Sequence, residues 1–462
     1  MSQVDDPQDL LLPEHARLLH IGSPKTGTTA LQNAMSRLRD PLLEHGVRYP
    51  GTTLHHQYGA SVLLQRRSPA WGGALPPHEW WDELQAEIDA ETERRVLVSY
   101  EMICQGDLAA TQRFADALGP QTHAVLVVRS FGTLLPSMWQ QRVKMGLSQP
   151  LSGFLREALA DLDAVRIRYS DAFHRSDGLH LVERWARVLG PENVTVVVLD
   201  PSRRSLLFDA FEGMLGLPSG LLDSAPSDGH AANRSMSLAE AELTRRLNQQ
   251  VLGARGAPRP EHRRLVWQGA VDRMLKTHVP TREEGKVAIP QWALEPCQEA
   301  GLRMADEIRA RGVRVHGDLD VLSAPVPTLA ELPDDARDLF PTDAAAQALI
   351  GMFAGALDRP VTMKPVETKL DASHPLARVG HPGASPSPSP RPQPTPAGPS
   401  TGTTTGPAVV AVDEPARERA SERSATLAAA STAELLRAAG ARAARAPRRV
   451  ARGVRRRLRR SP

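Results

Sequence analysis

Short runs of aliphatic and β-branched residues alternate along the first two hundred positions with longer stretches in which apolar residues recur every three or four. ARLLHI (Ala16 to Ile21), RVLVSY (Arg95 to Tyr100), HAVLVV (His123 to Val128) and VTVVVL (Val194 to Leu199) are of the first kind. Helical spacing covers about Gly27 to Arg39, Trp80 to Glu93, Leu108 to Leu118, Thr133 to Lys144 and Leu181 to Gly190. Such alternation predicts βαβ units, hence a three-layer α/β fold with a central parallel sheet flanked by helices.

The periodicity stops between Ser373 and His381, where HPGASPSPSPRPQPTPAGPSTGTTTGP begins. A segment of that composition cannot bury enough apolar surface to offset its ordering entropy. The expected organisation is a main domain at 14–325, a helical extension at 326–373, a disordered Pro/Ser/Thr-rich linker at 374–410 and an Arg-rich tail at 411–462. The net charge of +3 hides an asymmetry: eleven arginines and no acid follow from Arg437 onward, so the rest of the chain is net acidic. The basic balance therefore belongs to the tail and gives no reason to expect a specific nucleic-acid partner.

Two cysteines, Cys104 and Cys297, form neither a disulfide framework nor a metal-ligand spacing, and no run of about 18 apolar residues occurs. The opening MSQVDDPQDLLLPEHARLLH has acids where a signal peptide needs a basic and then an apolar region. A cytoplasmic protein is expected, with peripheral contact to an anionic membrane through the basic tail.

The segment that changes the picture is Gly22 to Thr29, GSPKTGTT, between the first strand and its helix. Glycines allow close backbone approach, and amides at a helix N-terminus bind anions, so the segment reads as a phosphate cradle. A P-loop nucleotidase needs G-x-x-x-x-G-K-[ST]; here the glycines keep that spacing, but Lys25 lies inside the loop and Thr28 occupies the lysine position. In such nucleotidases a later strand typically ends in an acid that helps hold Mg²⁺, whereas HAVLVV runs into Arg129. With Ser137 eight residues further on, Arg129 marks a second phosphate site, and the two sites together call for a ligand with two separated phosphates.

These two motifs resemble those of the sulfotransferases that use 3′-phosphoadenosine 5′-phosphosulfate (PAPS). PKTGTT (Pro24 to Thr29) is similar to that family's 5′-phosphosulfate loop, and RSFGTLLPS (Arg129 to Ser137) to its 3′-phosphate motif. SMWQQRVKMG, LVERWARVLGPENVTVVVLD and NRSMSLAEAELTRRLN resemble the family's bacterial branch, so the resemblance covers about Ala16 to Asn248 and, more weakly, the helices to Gly312. It implies that Lys25 bridges the 5′-phosphate and the sulfonate, that Thr26, Gly27, Thr28 and Thr29 bind that phosphate, and that Arg129 and Ser137 hold the 3′-phosphate. It also implies PAPS as co-substrate, adenosine 3′,5′-bisphosphate (PAP) as product and no metal. The late RKG-type motif of cytosolic animal members has no counterpart, which leaves Asn233, Arg234 and Ser235 as candidates for part of the lid.

The acceptor, a hydroxyl or amine on a carbohydrate, glycolipid or small molecule, must lose a proton near the transition state. Glu101, just past a strand end, is the first candidate base, with His55 and His56 of GTTLHHQYG in reserve. Trp71, Trp80 and Trp81 offer either a carbohydrate platform or helix packing. Two other functions stay open: a P-loop small-molecule kinase, and a non-catalytic sulfotransferase-like scaffold tethered by its tail.

Overall fold

The computed structural model describes residues 2–4, 6–67, 74–160, 178–226, 234–254, 259–329 and 341–357, all within one compact unit, Met1–Thr362. Trp71, Asn233, the expected linker 374–410 and the expected tail 411–462 lie outside the described residues.

Nine strands are formed among the described residues: β1 (Ser2–Val4), β2 (Arg17–Gly22), β3 (Val47–Arg48), β4 (Arg95–Ser99), β5 (Thr122–Val128), β6 (Val194–Val198), β7 (Ile289–Pro290), β8 (Arg314–His316) and β9 (Thr328–Leu329). Seven make a wholly parallel sheet in the order β1-β8-β6-β5-β2-β4-β3, and β7 and β9 form a separate parallel pair. The fold is α/β, with helices covering both faces. Parallel strands buried on both sides need apolar residues at almost every position, and the central ones have them. Leu19, Ile21, Leu126, Val128, Val196 and Val198 face a core built on Trp81, Phe114, Trp139 and Trp185. Their neighbours Leu18, Val125, Val127 and Val197 face Leu31, Met35, Phe211 and Met214 on the other side.

The chain runs from β2 to the β4/β3 edge and then returns to lay β5 on the opposite side of β2. Loops leaving β2 and β5 therefore diverge at their carboxyl ends, and in open α/β sheets that switch point is where ligands bind. The helix Thr28–Arg37 follows β2, and the helix Phe131–Lys144 follows β5.

The layered unit extends beyond the expected 14–325 on both sides. Ser2–Val4 pairs with β8, Leu10 and Leu12 are buried, and the Leu12 carbonyl accepts from the Arg95 guanidinium at 2.8 and 2.9 Å. Three polar-leaning residues at a sheet edge carry no readable alternation, because edge pairing is made by backbone. At the other end the helix Thr342–Ala356 crosses the π-helical turns Arg263–Val271 so closely that a side chain at Gly351 would overlap the Gly269 carbonyl. Among the described residues, no helix is long and apolar enough to cross a membrane.

Candidate active site

The β2 loop is pinned to β5 after the strand proper has ended. The Ser23 amide donates to the Val127 carbonyl at 3.0 Å and its hydroxyl to the same oxygen at 3.1 Å, and the buried Thr26 hydroxyl closes back on the Ser23 carbonyl at 2.5 Å. Two glycines in the loop are required. Gly22 has φ +109° and lies so close to Glu101 that a Cβ would overlap the Glu101 carbonyl; Gly27 caps the helix at φ +86°, where a Cβ would sit 2.7 Å from Leu207. Between them Lys25 adopts φ +67°, a left-handed conformation that costs a non-glycine residue energy and clusters at functional sites.

Arg129 stabilises that turn, donating to the Lys25 carbonyl at 2.9 Å and to the Thr133 hydroxyl at 3.0 Å. The first helical bonds are made by the Ala30 and Leu31 amides to the Gly27 carbonyl, at 2.9 and 3.2 Å, which leaves the amides of Thr28 and Thr29 ahead of the ladder. Burial lowers the Lys25 ammonium pKa; Arg129 lowers it further, and the nearby Glu101 carboxylate pulls it back up.

A cleft of about 370 Å³ opens in front of this loop, lined by Lys25, Gly27, Thr28, Thr29, Ser137, Gln140, Gln141, Lys144, Arg234 and Ser235. The structure thus brings Lys25, Gly27, Thr28 and Thr29 together with Ser137 and with two of the three expected lid residues. Arg129 faces instead an adjoining cleft of about 430 Å³, which shares Thr26, Gly27 and Ala30 with the loop and adds Arg203, Arg204, Leu199, Leu207 and Phe208. Ser137 lines the first cleft and Arg129 the second, the two clefts meeting at Gly27 and Ala30, and the Arg129 guanidinium bonds the Lys25 carbonyl between them.

Lys144 was not singled out from the sequence, yet it stands in the first cleft close enough for Lys25 to act on it. Burial first, then the charge of Lys25, draws its ammonium down to about 8. The signal was available: Ser137, Gln141 and Lys144 recur at i, i+4 and i+7, one face of a single helix. Arg234 is held by a buried carboxylate, pairing with Glu240 at 2.7 and 2.6 Å, while Glu240 closes a capping box with Ser237.

The three candidate bases differ in freedom. Glu101 begins a short turn directly after β4, and its Oε2 accepts from Gln32 at 3.2 Å; Gln32 also donates to the Ser99 hydroxyl at 3.1 Å, which in turn bonds His20 at 2.9 Å. His56 is buried with both ring nitrogens engaged: the Ser99 amide donates to Nδ1 at 2.9 Å, and Nε2 bonds the Pro50 carbonyl at 2.9 Å. Burial draws its pKa down to about 4. The reserve role expected for His56 is thus corrected, since it has no lone pair free for an acceptor proton. His55 is half-buried, its ring 5.9 Å from Tyr100. Of the tryptophans, Trp81 is a core residue packed edge-on to Phe114, whereas Trp80 meets the exposed Tyr58 at 5.0 Å.

No family model matches the chain, and no curated protein does. Among solved structures, a sulfotransferase from Alicyclobacillus acidocaldarius is similar over 51% of this chain and 95% of that one, at 17% identity and a TM-score of 0.31, a likeness too slight to bear on function.

Proposed function

We propose that this chain is a sulfotransferase that moves a sulfonate from PAPS to a hydroxyl or amine. The observation that carries the reading is the nearness of Lys25 and Glu101 at one anion cradle: a lysine inside the turn, and a glutamate whose backbone carbonyl packs on Gly22 and whose carboxylate raises the Lys25 pKa against the effect of burial. Transfer needs an electrophilic group held by cations and a base on the acceptor side. In this reading the acceptor oxygen or nitrogen attacks sulfur, and the S–O bond to the 5′-phosphate breaks with its electron pair leaving on PAP. The acceptor proton passes to the Glu101 carboxylate. Lys25, with Lys144 and the loop amides, offsets the charge that grows on the leaving phosphate, so the chemistry rests on positioning and charge stabilisation.

The adjoining cleft supports a donor with a second phosphate. Arg129, Arg203 and Arg204 there outnumber the two carboxylates of the same lining, Asp200 and Asp223, and Leu199, Leu207 and Phe208 supply apolar surface for a purine. A kinase is less well served, because Arg129 stands where an acid would help hold Mg²⁺. Calorimetric titration with PAP, 5′-AMP and MgATP, followed by transfer from ³⁵S-labelled PAPS to cell extract, tests the reading. PAP should bind most tightly and label should appear in an acceptor; tighter binding of MgATP, or no labelled product, would overturn it.

A further inference from the structure

A third cleft, of about 500 Å³, lies on the β4/β3 side of the sheet, between the helices Gln57–Leu63 and Glu79–Ala90. Its size falls in the range of small-ligand sites, about 300–1,000 Å³. Its wall is of two kinds. Tyr58, 43% exposed, and Trp80 meet edge to face at an interplanar angle of 69° and present aromatic surface. Glu83 and Glu87, one turn apart on a single helix, and Thr52 and Thr53 across from them present polar atoms.

The walls are held rigidly. Glu87 accepts from the Gly51 amide at 2.7 Å and pairs with Arg48 at 3.7 Å, and a side chain at Gly59 would press within 3.1 Å of the Trp80 carbonyl. The buried ring of His56 forms part of the floor and, through the Ser99 amide, ties the cleft to the end of β4, two residues before Glu101.

We propose that this cleft binds a neutral or aminated pyranoside, and that it is the acceptor subsite. Aromatic faces take the C–H face of a sugar ring, carboxylates and threonine hydroxyls take its hydroxyls, and a pyranoside presents both. Glu83 adds selection by repulsion, Glu87 being already paired with Arg48: a uronic acid or an already sulfated sugar would bring an anion against Glu83, whereas an amino sugar would gain an ion pair. The acceptor role rests on the function proposed above; the binding does not.

The test separates the two. Full-length protein without donor is titrated with methyl β-glucoside, methyl β-glucosaminide and methyl β-glucuronide, followed by saturation-transfer NMR. The first two should bind saturably and the glucuronide about tenfold or more weakly. Tyr58→Ala, an exposed substitution that leaves the core intact, should weaken binding about tenfold, and Glu83→Gln should narrow the discrimination against the glucuronide. No saturable binding by any of the three, preference for the glucuronide, or indifference to Tyr58→Ala would overturn the cleft's assignment. If the glycosides bind, and PAP also binds in calorimetry, but labelled PAPS gives no sulfated glycoside, the acceptor role is overturned while the donor site stands. Failure of PAP to bind removes the donor reading and leaves the glycoside result intact.

Discussion

Glu240→Ala should lower both the stability of this protein and its grip on an anion, and the size of the first effect can be worked from the contacts. The Glu240 carboxylate is fully buried; it receives the two Arg234 bonds and the Ser237 amide at 2.8 Å. Removing one partner of a buried ion pair costs about 3–5 kcal/mol, because the other is left uncompensated. Here Arg234 keeps the Leu275, Met274 and His278 carbonyls at 3.0 to 3.3 Å, which favours the lower end, about 3 kcal/mol. Loss of half the capping box adds about 1 kcal/mol. At about 2 °C per kcal/mol for a chain of this size, melting should fall by roughly 8 °C. Arg234, freed to turn from the cleft, should also weaken PAP binding by about tenfold. Scanning calorimetry and titration measure the two effects. The double variant Arg234→Ala/Glu240→Ala leaves no unpaired charge and should cost less than the sum of the single variants. A Glu240→Ala melting point within a degree or two of the parent, or strict additivity in the double variant, would refute the argument.

Three further outcomes follow from the geometry. Lys25→Ala should reduce turnover of labelled PAPS by on the order of 10²–10³ while changing PAP affinity far less, since its charge matters most as the phosphate leaves; near-normal turnover would exclude the role. Lys144 titrates near 8, is cationic below that and neutral above, so PAP affinity should decline as pH rises from about 7 to about 9, and Lys144→Met should flatten the profile. His278 is opposed by burial, but its bonds to Asp343 and Glu284, each 2.9 Å, prevail and raise its pKa above the ordinary value. Its stabilising effect is therefore complete below about pH 6.5 and lost as pH rises through the folded value. The melting difference between the parent and His278→Asn should shrink over that window; a difference independent of pH would contradict the assignment.

How much was legible from sequence depended on whether a signal was local. The central strands and the helices beside them were legible because a doubly covered parallel sheet writes its burial as continuous apolar runs; Leu108–Leu118 was read to the residue. Strands of two or three residues, such as β1, β3 and β8, were not, since their pairing is made by backbone and leaves no pattern. In the site, the loop was legible because its glycines and lysine, Gly22, Lys25 and Gly27, lie within one short segment. That Arg129 bonds the loop it had been expected to complement, and that His56 is spent on backbone, are facts of tertiary contact. Lys144 lay between the two cases, on a helix face whose period was readable once Ser137 had been noticed.

The helix Thr28–Arg37 carries the loop amides at its first turn and Gln32, the partner of Glu101, one turn later. On the proposed reading, a single rigid element therefore sets the spacing between the departing phosphate and the group that collects the acceptor's proton. On the same reading, the surfaces proposed to choose the acceptor lie elsewhere, on the helices around Tyr58 and Trp80. Changes there could accumulate, and new acceptors be tried, without the reaction geometry being relearned: the catalytic ruler is inherited whole, and the specificity is free to drift.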